Sequence, residues 1–184
     1  MSAFQKCCDK LGFSVEQEGL LGDSCAFRTW REHRIRLEYG SEMQAEMLVS
    51  FTKISFAVHS VVPISLEARH MPGRLSKWIW TLGGLKDTLL GHEKFDQTYL
   101  VQTSLPEDAR FLIDDEKRNR LLENPIERIL IRRLERKGDK DEAEENNLER
   151  AVHQVEFTVF RTEYDEKTLR SWLSLADSFC TSAE

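Results

Sequence analysis

The residue types best suited to chemistry fall in a few clusters, and their spacing limits what each can do. Cys25 and His33 are a thiol and an imidazole, the parts of a nucleophile and its base, which in hydrolases meet in space rather than in sequence. His33 also lies among Arg31, Arg34 and Arg36, which reads as a solvated strand face. His92, Glu93 and Asp96 follow Gly91 in a loop, where acid/base and metal-binding groups often collect. The competing reading is a turn in which Asp96 bonds backbone amides while Phe95 plugs the core. The run TLGGLKDT, residues 81–88, holds the residue types of a phosphate-binding loop in the wrong spacing. Zinc needs ligands gathered by short spacings, and His33, His59, His70, His92 and His153 are scattered, so neither metal nor cofactor is expected. No catalytic residue is assigned.

Tryptophan gives a different signal. Trp78 and Trp80 fall within RLSKWIWTLGGL, residues 74–85. Side chains at i and i+2 diverge by about 200° on a helix, so either one of the two is exposed or the segment is a strand. An exposed tryptophan near Leu82 and Leu85 would anchor a partner, which makes Trp78, Trp80, Leu82 and Leu85 the candidate partner-binding set. The alternative is that both tryptophans cover the open side of a sheet. A basic run at Arg128, Arg132, Arg133, Arg136 and Lys137 precedes an acidic stretch, residues 138–149, and the two are expected to neutralise each other across a hairpin.

The elements that would position these groups follow from periodicity. Ser2 and Gln5 have capping-box spacing ahead of Phe4, Cys7, Cys8 and Leu11, and Gly12 stops the run, which predicts a short amphipathic helix. From 13 to 69 the period becomes two and predicts four or five antiparallel strands. One carries 26–30, one Ile35, Leu37 and Tyr39, and one Ala45, Met47, Val49 and Phe51. Residues 39–42 form a hairpin turn, and Pro63 divides the strand of Phe56 and Val58 from that of Ile64 and Leu66. Leu75, Trp78, Ile79 and Leu82 return to helical spacing before Gly83 and Gly84. A strand at 98–103 precedes a helix with Ser104 and Glu107 as a second capping box and Pro106 in its first turn. A further helix is expected at 115–123, a strand with Ile129 and Ile131 on one side, and a partner strand with Val155, Phe157 and Val159. Leu169, Trp172, Leu173, Ala176, Phe179 and Cys180 make the clearest amphipathic stripe, on a C-terminal helix. The fold class is therefore α+β: an antiparallel sheet with helices on one face, including N- and C-terminal amphipathic helices, in a single domain spanning 1–184 with an acidic loop insertion.

Composition bounds the functional classes. The 184 residues are 40% hydrophobic and 32% charged, enough apolar surface for a core without a membrane-like excess. Lys plus Arg number 26 against 32 Asp plus Glu, a formal charge of −6, which argues against gripping phosphate backbones and hence against nucleic acid as a partner. No apolar run reaches the roughly 18 residues of a transmembrane helix, and no basic-then-apolar leader opens the chain. Cys7, Cys8, Cys25 and Cys180 offer no Cys-x-x-Cys spacing and read as buried hydrophobes of a reducing, cytoplasmic setting.

The run GHEKFDQTYLV, residues 91–101, with Glu107, Ala109, Leu112, Arg118, Leu121 and Leu122 after it and Val61 to Leu66 before it, resembles a pattern in uncharacterised bacterial domain proteins. The resemblance implies a shared fold and a bacterial setting, and implies no reaction or cofactor. Where many of those proteins place an Asp after the loop glycine, this chain has His92. The expected function is a non-enzymatic cytoplasmic interaction module, contacting another protein or a second copy through the tryptophan segment or the outer sheet face. The alternative is a carrier of a small apolar ligand or lipid, with a hydrolase using Cys25 or His92 third.

Overall fold

Ser2 and Gly12 bracket the first element as their residue types require. The Gln5 amide donates to Ser2 Oγ at 3.0 Å, and Gly12 takes the left-handed conformation (φ 72°) that ends α1 (Ala3–Leu11). The structure, a computed structural model, describes residues 1–18, 23–30, 33–44, 46–60, 64–71, 84, 86–134 and 151–182. After α1 come β1 (Ser14–Glu18), β2 (Ser24–Trp30), β3 (His33–Gln44), β4 (Met47–Ser60) and β5 (Leu66–His70). Then follow α2 (Glu93–Thr98), β6 (Tyr99–Thr103), α3 (Pro106–Leu112), α4 (Asp115–Glu123), β7 (Arg128–Arg133), β8 (Ala151–Val159) and α5 (Glu166–Ser182). The eight strands form one antiparallel sheet in the order β1-β2-β3-β4-β8-β7-β5-β6, with the helices on one face, so the α+β class holds. No described helix is long and apolar enough to cross a membrane.

Period-two alternation sends every second residue to the covered face. The strand registers align Val15, Ala26, Leu37, Ile54, Phe157, Ile129, Ala68 and Val101 in one row across all eight strands. A second row carries Phe56, Val155, Ile131 and Leu66. α5 lies over the rows with Leu169, Trp172, Ala176 and Phe179 buried, and Phe179 meets Phe157 edge-on at 5.5 Å. α1 adds Phe4 against Tyr39 at 5.1 Å.

Three local expectations are corrected. Residues 39–42 are not a turn: β3 runs straight through Gly40, and the reversal comes at Glu46 (φ 69°). Gly40 stands directly across from Phe51, whose ring lies so close that a Cβ on Gly40 would sit 2.7 Å from Phe51 Cζ. This glycine makes room for an aromatic ring. The strand of Met47, Val49 and Phe51 and that of Phe56 and Val58 are one 14-residue β4, whose core-facing set Thr52, Ile54, Phe56 and Val58 has the opposite parity to Met47, Val49 and Phe51. Finally, Ser104 does not cap α3. The cap is Leu105, which has no side-chain bond, and Pro106 takes the first helical position. Proline's fixed φ suits that position, so the helix starts one residue later than the box predicts, and Thr103 Oγ1 accepts the Leu105 amide instead.

Candidate functional site

The described candidate residues are built into the backbone more than gathered toward a ligand. Asp96 Oδ1 accepts the Leu90 amide at 2.9 Å, and Oδ2 accepts those of Gly91 and His92 at 2.9 and 3.1 Å. His92 caps α2, its Nδ1 accepting the Phe95 amide at 3.2 Å. Phe95 is fully buried and stacks on Tyr99 at 4.5 Å. Three amides on one carboxylate and a ring nitrogen used as a cap fasten residues 90–92 to the first turn of α2, so the segment expected as a loop or turn is a short helix. Tyr99 in turn ties β6 to the next connection, its hydroxyl reaching the Leu121 and Ile126 carbonyls.

Cys25 and His33 are not brought together. Cys25 pairs with Glu38 across β2 and β3, whereas His33 lies five residues further along β3, about 16 Å at strand rise. The Cys25 thiol accepts from Arg36 Nε at 3.1 Å, and His33 Nδ1 is 3.0 Å from the Ala57 carbonyl oxygen. Among the described residues no group of three or more His, Cys, Asp or Glu is placed to hold a metal ion. Trp78, Trp80, Leu82 and Leu85 lie outside the described residues, as do Arg136, Lys137 and the acidic stretch 138–149.

What the sheet does assemble is a charged outer face. Arg36, Ser55, Glu156, Leu130 and Glu67 form one row there, and Glu38, Lys53, Thr158, Arg128 and Arg69 the next. Arg36 and Lys53 both reach Glu38, at 2.5 and 2.9 Å, and Arg132 reaches Glu156 at 2.8 Å. Two members of the basic run are thus paired within the strands, Arg132 with β8 and Arg128 with β5. Arg34 stacks on Phe27 at 3.8 Å. Ser55 and Thr158 in these rows are buried among the charged side chains, and at β6 the face closes over Leu100.

The same face ends in a cleft of about 580 Å³, lined by Gln44, Arg69, His70, Met71, Glu127, Arg128 and Phe160. Arg69 and Arg128 oppose each other across β5 and β7, and both direct Nε to one oxygen, Glu67 Oε1, at 2.8 Å. Glu127 is held by the Phe160 amide at 3.1 Å and Arg161 Nη1 at 3.2 Å. His70 stands 5.2 Å from the Tyr99 ring, and burial holds its pKa below the usual imidazole value, opposed by the nearby Glu127. It therefore contributes a neutral ring at pH 7. The arrangement can bind an anion; it holds no nucleophile with an adjacent base. The cleft escaped sequence reasoning because positions 44, 69, 128 and 160 meet only through the crossover that sets β5 beside β7.

Comparison with protein-family models, curated proteins and solved structures finds no match to this chain.

Proposed function

We propose that the chain is a non-enzymatic protein-interaction module and that its contact surface is the outer face of the sheet over β2, β3, β4, β8 and β7. The observation that carries this is the charged lattice of Arg36, Glu38, Lys53, Arg132 and Glu156 on the outer face, ordered by mutual ion pairs that leave Arg36 and Arg132 about half exposed. A preordered charged face gives a partner specificity and a fast encounter more than raw affinity. The sheet edges are less suited. At β6, Asp87 Oδ1 accepts the Val101 amide and the Thr88 amide donates to the Val101 carbonyl, while β1 carries a bulge between Val15 and Gln17 beside charged Glu16 and Glu18.

The setting we infer is a cytoplasm: Cys7, Cys8, Cys25 and Cys180 are all buried and outside any disulfide, as expected where disulfides do not form. A bacterial source is what the resemblance of residues 91–101, with the flanking residues 61–66 and 107–122, implies. The carrier alternative needs a lumen between sheet and helices, and there Phe56, Phe157 and Phe179 are packed ring against ring.

A photo-crosslinking residue placed in vivo at Lys53 or Arg132 tests the reading, with Lys167 and Ser174 on the helix side as controls. The expected result is a discrete adduct with a different protein from the sheet positions only, lost on substituting Arg36→Ala together with Arg34→Ala. Equal adducts from both sides, adducts with a second copy of this chain, or none at all would overturn it.

A further inference from the structure

We infer that the edge of β4 over residues 47–51 is a strand-addition site, occupied by an extended, uncharged segment of the partner that docks on the outer sheet face. This deepens the interaction reading and rests on it. The hairpin of β3 and β4 outruns the sheet. β2 follows β3 only as far as Tyr39, and β8 joins β4 only from Thr52, so residues 40–44 and 47–51 pair with each other alone among the described residues. Beyond Val159 the chain leaves the β4 edge: Thr52 Oγ1 donates to the Arg161 carbonyl at 2.8 Å and accepts the Glu163 amide at 2.9 Å, on the covered side where Thr52 is buried. Edge strands are blunted by charge, proline, a bulge or a covering segment. β1 has its bulge and glutamates, and β6 has Asp87 and Thr88 bonded along it. The edge at 47–51 has none of these among the described residues: its five side chains are uncharged, its register with β3 is unbroken, and Met47 and Leu48 are 65% and 71% exposed. Such an edge is a template for another strand.

The occupant follows from length and surroundings. Five residues span about 17 Å, the size of a peptide ligand, whereas a stable dimer interface uses about 20–30 residues a side. The cleft of about 580 Å³ opens between Gln44, opposite Met47 at the hairpin tip, and Phe160, next after the Val159 that pairs with Thr52. A strand continuing the line of β8 therefore runs from Phe160 toward the tip, beside this cleft. Its main chain takes the hydrogen bonds of the edge, and its alternate side chains meet Met47, Val49 and Phe51 on one side and Leu48 on the other. Apolar and β-branched residues suit those neighbours, and a charged one finds no counter-charge on residues 47–51.

The test is fluorescence anisotropy with a labelled peptide, Val-Thr-Val-Thr-Val between Gly-Ser ends, and with the same peptide N-methylated on alternate amides in either phase. Saturable binding of the parent peptide is expected, at least tenfold weaker for one N-methyl phase and within threefold for the other, because only every second amide of an added strand faces its neighbour. Met47→Lys and Leu48→Lys, at exposed positions, are expected to keep the melting temperature and to weaken binding at least tenfold, with Phe111→Lys, exposed on α3, unchanged. Equal affinity of the two N-methyl phases, native affinity in both of those edge variants, or a second copy of this chain on the edge, seen as a dimer in sedimentation that Leu48→Lys dissolves, would overturn the site. If no peptide binds while crosslinking from Lys53 and Arg132 persists, strand addition falls and the interaction surface stands. If the peptide binds and crosslinking is absent, the edge stands and the outer-face reading falls.

Discussion

Phe157 and Glu156 are consecutive residues of β8, and the sheet sends them into two different environments. Phe157 lies in the apolar row with Leu37, Ile54 and Ile129 and touches Phe56 and Phe179, whereas Glu156 lies among Arg36, Ser55, Leu130 and Arg132 on the outer face. Both faces are ordered, by different means. On the covered face order comes from exclusion of water, which is worth kilocalories per side chain. On the outer face it comes from shared carboxylates between partly exposed partners, whose net contribution is small. A surface arranged at so little energetic gain is free to serve recognition, and that asymmetry is the basis for placing function on the outer face.

The sharpest way to break the comparison is Phe157→Ala. Removing a ring that is 2% exposed leaves a cavity under α5, and the expected loss is about 3–5 kcal/mol in urea unfolding. A loss below about 1 kcal/mol would mean that the helix layer settles onto the sheet without a fixed fit, and the covered face would no longer differ in kind from the outer one.

Asp114 and Lys117 test whether a charge on the covered side obeys the same rule. Lys117 is buried at 1% exposure, lies 5.4 Å from the Phe179 ring and is paired with Asp114, which also caps α4 through the Lys117 amide at 2.9 Å. Partial burial opposes the charged carboxylate, but the hydrogen bonds from the Lys117 side chain and amide outweigh it and hold the Asp114 pKa below the ordinary value. A depressed folded pKa means stability that is present above the unfolded carboxylate value, near pH 3.9, and is lost as pH falls through the folded one. Asp114→Asn keeps the cap and removes the charge. It is expected to cost about 1–2 kcal/mol at pH 7 and to flatten the loss of stability below about pH 4, measured by urea midpoints across pH.

Gly40 and Phe51 sharpen the outer face itself. Gly40→Ala pushes a methyl against the Phe51 ring and the Asp23 carboxylate and is expected to cost about 1 kcal/mol. In a Phe51→Ala background the same change loses its main clash and gains about 0.5 kcal/mol from a stiffer unfolded chain. A double-mutant cycle without this change of sign would show that the ring does not determine the glycine.

These residues also show how far the chain can be read by eye. α5 and α4 were legible because a stripe at i, i+3, i+4 and a stop at Asn124–Pro125 act through neighbours in sequence. Gly40 was misread because a glycine that makes room for a ring resembles one that makes a turn, and the difference lies in Phe51 on the next strand. Ser104 failed because two start signals one residue apart compete, and proline's rigid φ prevails. The amide-accepting role of Asp96 and the core role of Phe95 could be weighed locally because the bonds lie within six residues, although the segment is helix α2 and not a turn. The cleft is the opposite case: Arg69 and Arg128 look like ordinary solvated arginines until a long-range register sets them face to face.

The smallest expected effect bears most directly on function. Glu156→Gln removes the carboxylate facing Arg132, a pair with one half-exposed partner. Its cost should stay below about 1 kcal/mol, and the coupling with Arg132→Gln in a double-mutant cycle should shrink as salt rises from 0.05 to about 1 M, where the Debye length falls to about 3 Å. Stability left nearly intact is what makes the variant informative, because any change in crosslinking at Arg132 can then be assigned to the surface. A coupling of about 3 kcal/mol that resists salt would instead mean that the outer lattice holds the sheet together. Its charges would then be committed to folding, and a partner drawing on them would destabilise the protein it binds.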